Sequence, residues 1–168
     1  MDSSALRERQ APLKSSYTDD PEAAKVTLSA EGGLGEGVTC SVSTGRGLAE
    51  AGLHPATGGD GLSLCSGDML LEALVACAGV TLNAVSTAMG IELRDATVRA
   101  EGDIDFRGTL GVAKDAPVGF TDIRLTFEFA SDASQEQLDK LMRQTERYCV
   151  VAQTLSQSPN LTVQRQEA

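Results

Sequence analysis

Two cysteines stand where thiol chemistry is possible. Cys77 closes the run Met69-Leu70-Leu71-Glu72-Ala73-Leu74-Val75-Ala76-Cys77, and Cys149 lies in Tyr148-Cys149-Val150-Val151-Ala152-Gln153-Thr154-Leu155. Two thiols held in contact can be oxidised to a disulfide and reduced again, so such a pair carries two electrons without a cofactor. Cysteine is also among the most buried residue types and often serves as a small hydrophobe. Residue type leaves both readings open, with packing the commoner. The two are 72 positions apart, so only the tertiary fold can join them. Cys40 falls on the apolar side of an alternating segment and reads as packing, whereas Cys65 sits just before a helix start and can be exposed. There is no CxxC pair, and His54, the lone histidine, stands apart from the cysteines in sequence. A zinc site is therefore not expected. The charged candidates near these thiols are Arg46, Asp68 and Glu72.

The composition narrows the classes. A chain of 168 residues can bury the core of one domain, and 41% hydrophobic with 23% charged residues is ordinary for a globular protein. Aromatics make up only 4% and tryptophan is absent, so Leu, Val, Ile and Ala must build the core. A net charge of −10 argues against nucleic-acid phosphates and anionic lipid as partners. The start, Met1 to Ser16, is polar without an apolar h-region, so no secretory leader is expected and a cytoplasmic location is. The apolar stretch from Met69 is interrupted by Glu72, Asn83, Ser86 and Thr87 and lacks basic flanks, which reads as a core helix and not a membrane span.

The elements that must position the thiols read as follows. Residues 1–22 form a polar extension, with a short helix over Ala5 to Gln10, and 23–168 a single domain. Lys25 to Glu31 and Gly37 to Thr44 alternate around the turn Gly32-Gly33-Leu34-Gly35, a hairpin signal. Gly45 to Gly67 reads as a long glycine-rich loop, of the kind that serves function or subunit contact. It lacks GxxxxGK[ST], so it is no phosphate cradle. His54, before Pro55, reads as a loop residue. A helix follows, with Ser66 as N-cap, Asp68 complementing its dipole and Gly90 just past its end. Its polar or small stripe is only Glu72, Gly79, Asn83 and Ser86, so the helix should be buried nearly all round, with a second subunit helping to cover it. Val98 to Phe106 and Ile123 to Phe129 alternate as strands with one wet face. A second helix opens on a Ser134/Gln137 capping box and carries Leu138, Leu141, Met142, Thr145, Cys149, Ala152 and Leu155 on one stripe, until Ser158-Pro159 stops it. Leu161-Thr162-Val163 reads as a closing strand. The order gives an α+β domain.

Ser66-Gly67-Asp68-Met69-Leu70-Leu71-Glu72-Ala73-Leu74-Val75-Ala76-Cys77 resembles the acidic-start cysteine helix of the OsmC/Ohr family, the osmotically inducible and organic hydroperoxide resistance proteins. Tyr148-Cys149-Val150-Val151-Ala152-Gln153-Thr154-Leu155 resembles that family's Cys-Pro-Val-x-x-Thr-Leu segment, with Val150 in place of proline. The likeness runs from about Lys25 to Val163 and points to the OsmC-like branch. It implies an intertwined homodimer with two long central helices wrapped by antiparallel sheets. It also implies a thiol peroxidase acting on organic hydroperoxides, needing no cofactor beyond an external dithiol, from a reductant protein or a lipoyl-type donor. Carried over residue by residue, Cys77 would attack the peroxide and Cys149 would resolve the sulfenic acid as a disulfide. Cys65 is the alternative resolving thiol.

The site also departs from the pattern. The family's activating arginine and its glutamate partner are matched by Leu34 and Gly67. Arg46 would then be the substitute cation and Asp68 or Glu72 its acid partner. On the plainer readings Arg46 is a solvated loop charge, Asp68 a helix-dipole residue and Glu72 a partner for a basic side chain. Because of those departures a non-catalytic dimer, sensing redox state or holding a small apolar ligand, is the alternative function.

Overall fold

The computed structural model describes the backbone of residues 31–34, 39–44 and 47–48, all of 49–111 and 113–166, and a few positions between 2 and 19. Strands β1 (Glu31–Leu34), β2 (Thr39–Thr44), β3 (Gly47–Gly52) and β4 (Leu64–Cys65) form one sheet in that order. A 24-residue helix α1 (Ser66–Met89) follows. Strands β5 (Arg94–Ile104) and β6 (Phe120–Ala130) pair antiparallel as a second sheet, with a single helical turn α2 (Phe106–Thr109) between them. Helices α3 (Gln135–Tyr148) and α4 (Val150–Ser156) complete an α+β fold.

The hairpin is present, but Gly32-Gly33-Leu34, expected as its turn, is paired strand, with Leu34 opposite Cys40. Glycine supplies the ladder's backbone donors and acceptors as well as any residue. Lys25 to Ala30, residues 35–38 and the side chain of Cys40 lie outside the described residues. The glycine-rich loop is not all loop. Gly47–Gly52 pairs along its whole length with β2, from Thr44 opposite Gly47 to Thr39 opposite Gly52. Its sequence, Gly-Leu-Ala-Glu-Ala-Gly, has no β-branched residue to announce it. Phe106, expected at the end of a strand, instead opens α2, because Asp105 accepts from Arg107 N at 3.0 Å and caps the turn.

Helix α1 lies on β5 and against α3 and α4. By length and composition it could cross a membrane, but one face packs into the core. Leu82, Val85, Ile91 and Leu141 form one buried cluster, and Leu74, Ala78 and Cys149 another. Gly90, at φ 67°, ends the helix with its N–H bonded to carbonyls of the last turn. The N-cap position is Cys65, one residue before the serine expected there, and its side chain makes no capping bond. The helix is not buried all round within one chain: Leu70 is 38% and Val80 72% exposed, on a face shared with Ala73 and Ala76. The Ser134/Gln137 capping box is present, Ser134 N donating to Gln137 Oε1 at 3.0 Å. Leu161-Thr162-Val163 is no strand in the single chain and lies exposed. The wet faces of β5 and β6 are stitched by ion pairs. Asp103 and Asp122 stand opposite each other, and Arg124 bridges both carboxylates.

Candidate active site

The second helical segment breaks at Cys149. The stripe from Leu138 to Leu155 predicts one continuous helix, yet Cys149 takes φ −73° and ψ 103°, so it ends α3 and starts α4. The carbonyl of Thr145 still accepts from Cys149 N at 3.0 Å, and Gln153 N donates to Cys149 O at 2.9 Å. The Gln153 side chain spans the break, its Nε2 donating to Glu146 O at 3.0 Å. A helix start leaves its first N–H groups without intrahelical partners. Here those groups belong to Val150, Val151 and Ala152, and they meet two sulfurs.

Cys77 comes to this break from α1. It is half-buried and packs with Leu74, Ala78 and Cys149, so the two thiols distant in sequence are neighbours. Burial pushes the Cys77 thiol up, but the Val151 N–H, the Cys149 thiol, the Val150 N–H and the Thr81 hydroxyl, in that order, together hold it below its ordinary value. Thr81 Oγ1 already donates to the Cys77 carbonyl at 2.8 Å, in keeping with its small share. Cys149 goes the other way. It is 1% exposed, and burial raises its thiol, with Cys77 beside it adding to the rise against the N–H groups of Ala152 and Val151. The junction thus shifts the two thiols in opposite directions, the half-buried Cys77 down and the enclosed Cys149 up. A lowered thiol favours the thiolate, which is the nucleophilic form.

Among the described residues, the groups acting on Cys77 are backbone N–H donors, a thiol and a hydroxyl. Arg46 lies outside the described residues, as does the side chain of Leu34. Asp68 is placed in the first turn of α1, nine residues ahead of Cys77 and about 13–14 Å along the axis at the helical rise. It lines a cavity with His54, Cys65, Gly67, Phe106 and Phe120, away from the thiol pair. Cys65 is twelve residues ahead of Cys77, about 18 Å along the helix. That distance overturns it as a resolving partner within the same chain. His54 is more than a loop residue: it caps the turn at Pro55 through Nδ1, which accepts from Ala56 N at 3.0 Å, and stacks on Phe106 with ring centroids 4.9 Å apart. Glu72 is exposed beside Ala76 and Ala100.

Two participants escaped the sequence reading. The donors of Val150 and Val151 were hidden by an unbroken helical stripe, although two adjacent β-branched residues are a weak sign against helix continuity. Thr145 was read as one more core position. Its hydroxyl is fully buried and finds no partner among the described residues, a condition that costs on the order of 1–3 kcal/mol.

A family model for OsmC-like protein matches residues 58–164, a span holding Cys65, Cys77 and Cys149. The chain belongs to the OsmC-like family. The OsmC-like protein of Mycoplasma pneumoniae has the same fold, with a TM-score of 0.66 at 17% identity over 80% of this chain and 90% of that one. An organic hydroperoxide resistance protein OsmC of Legionella pneumophila gives 0.60 at 15% identity, covering 79% and 90%. The organic hydroperoxide resistance protein OhrB of Bacillus subtilis gives 0.53 at 16%, covering 79% and 93%. Comparison with curated proteins yields no match. The OsmC-like match begins after β3, so positions 34 and 46 fall outside it.

Proposed function

We propose that the protein is a thiol peroxidase for organic hydroperoxides, with Cys77 as the peroxidatic and Cys149 as the resolving cysteine. The observation that carries this reading is the contact of two free thiols shifted in opposite directions at the start of α4. The Cys77 thiolate attacks the terminal oxygen of ROOH. The O–O bond breaks, a sulfenic acid forms on Cys77, and the alkoxide takes up a proton and leaves as ROH. The Cys149 thiol then attacks the sulfenic sulfur, a disulfide forms and water leaves. An external dithiol returns both cysteines to thiols and is itself oxidised to a disulfide. Leu74, Ala78, Leu125 and Phe127 around the pair favour organic over inorganic peroxides. A homodimer, covering the exposed face of α1 and pairing the extended Leu161–Val163 segment, accounts for the apolar surface one chain leaves open. A cytoplasmic location suits thiols that must be kept reduced.

The test is non-reducing peptide mapping of the reduced protein after one equivalent of cumene hydroperoxide. A rapid Cys77–Cys149 disulfide, absent from Cys77→Ser, is the expected result. Two untouched thiols would sink the peroxidase reading and leave a redox-inert or ligand-binding dimer.

A further inference from the structure

The start of α1 borders two cavities, of about 360 and 340 Å³, which share His54, Cys65, Gly67, Ile104, Phe106 and Phe120 as walls. All six are half-buried, so solvent reaches them. Three of these walls are rings. His54 stacks on Phe106 with centroids 4.9 Å apart and 17° between the planes. Phe120 packs on the bare α-carbon of Gly102, where a Cβ would come within 2.5 Å of two ring atoms. That glycine is required by packing. Gly67 is not. A Cβ there would lie 3.5 Å from Phe120 Cζ, 3.6 Å from Cys65 Sγ and 3.8 Å from Ile104 Cδ1, all ordinary contact distances. Nor does its backbone take the left-handed conformation that favours glycine. A helix is better served by alanine than by glycine, yet Gly67 is the second residue of α1. What it supplies is room beside Cys65, among the rings.

We propose that this hollow is a binding site for a flat, uncharged aromatic molecule, seated against Gly67 beside the Cys65 thiol. It is separate from the thiol pair: Gly67 is ten residues ahead of Cys77, about 15 Å along the helix. The inference is independent of the peroxidase reading. The volume falls in the range of small-molecule sites, which are lined mainly by apolar and aromatic side chains with a few polar groups. Walls made of rings favour a ring as guest, in offset or edge-to-face contact. Charge selects further. Asp68 and Asp103 line the first cavity, and with a chain of net charge −10 they disfavour an anion. Neither is set aside for a cation. Asp103 is engaged by Arg124 at 2.9 Å, and Asp68 sits at the positive end of α1. His54 adds a polar handle. Its Nδ1 accepts from Ala56 N at 3.0 Å, so in the neutral ring Nε2 carries the proton and can donate to a carbonyl or hydroxyl oxygen of the ligand.

The test uses the reduced full chain and 6-propionyl-2-dimethylaminonaphthalene, an uncharged fused-ring probe with one carbonyl, whose emission moves to shorter wavelength in apolar surroundings. A saturable shift is expected. With the probe at about ten times its Kd, alkylation of Cys65 by iodoacetamide should slow about tenfold by mass action, while alkylation of Cys77, followed by peptide mapping, stays unchanged. Gly67→Leu fills the hollow at ordinary contact distances with a better helix former and should weaken binding at least about tenfold without lowering Tm. Phe106→Leu keeps the apolar bulk and removes the ring, and should also weaken binding, so the site remains testable should Gly67→Leu fold poorly. The anionic analogue 6-(p-toluidino)naphthalene-2-sulfonate should bind more weakly than the uncharged probe. Absence of a saturable shift, protection of Cys77 in place of Cys65, or unchanged affinity in the two folded variants overturns the site. So does a Cys65 that iodoacetamide fails to reach in the probe-free protein, as when a partner subunit fills the hollow. Tighter binding of the sulfonate overturns the ligand class. None of these outcomes bears on disulfide formation by Cys77 and Cys149.

Discussion

Two helices in this protein start at a cysteine, and the starts behave differently. Cys65 precedes the 24-residue α1 and Cys149 the seven-residue α4, and neither side chain caps its helix. The longer helix has the larger macrodipole, yet the paired thiols pack at the start of the shorter one. Cys65 faces a cavity walled by His54, Phe106 and Phe120. The shorter helix presents its free N–H groups to Cys77, a sulfur delivered by another element, and to Cys149. The difference teaches that a helix start activates a thiol through individual donors aimed at the sulfur. Helix length adds little, because the dipole's effect is spent within the first turn.

The largest effect that bears on this contrast is loss of the nucleophile. Cys77→Ser should lower organic hydroperoxide consumption at least about a thousandfold, measured as peroxide removal in the presence of a dithiol. Retained turnover would move the chemistry elsewhere, with Cys65 the first suspect. Next comes Cys149→Ser, which should keep a single fast turnover, lose most of the steady state and accumulate sulfinic acid on Cys77, visible as added mass. Val150→Pro sharpens the donor argument. The backbone already suits proline, since Cys149 is extended and Val150 is the first residue of α4, so the change removes little besides one N–H. The alkylation pH profile of Cys77 should then shift upward by about one unit, the worth of one hydrogen bond to a charged group.

The pH dependence of stability tests the opposite shifts. Cys149 has a folded value above its unfolded one, so its contribution is present below the usual thiol range and is lost as pH rises through the folded value. Cys77 is held low, so its contribution is present above the unfolded thiol value and is lost as pH falls through the folded one. Urea midpoints between about pH 7 and 10 should therefore fall less on the alkaline side in Cys149→Ala than in the parent. The smallest effect belongs to the other helix start: Cys65→Ser should change peroxide consumption less than about twofold, within the range of a substitution away from the chemistry.

Much of this architecture is legible in the sequence, where local chemistry decides. Gly90 ends α1 because only a residue at ease with positive φ fits there. Ser134 and Gln137 announce α3 through a reciprocal pair of hydrogen bonds, and the alternation in β5 and β6 follows one wet and one buried face. The joint at Cys149 is illegible for a physical reason. Leu141, Thr145, Cys149 and Ala152 keep helical spacing on both sides of it, so hydrophobic periodicity runs through the break unchanged. A rotation in one ψ leaves no trace in composition. Strand β3 is hidden in a similar way, since its pairing with β2 and not its side chains makes it a strand. At the site, the resemblance named both thiols and a side-chain cation, Arg46, which lies outside the described residues, but not the backbone N–H groups beside Cys77. Backbone donors have no letter in the sequence.

The joint between α3 and α4 sets thermodynamic robustness against reactivity. Sequences that healed it, for example with strong helix formers at 150 and 151, would recover helical hydrogen bonds and a longer cooperative segment. They would also take back the N–H groups on which Cys77 depends. Screening this chain for heat resistance alone should therefore enrich variants that endure longer and react more slowly, with Gln153, whose side chain spans the gap, as the residue at which the compromise is held.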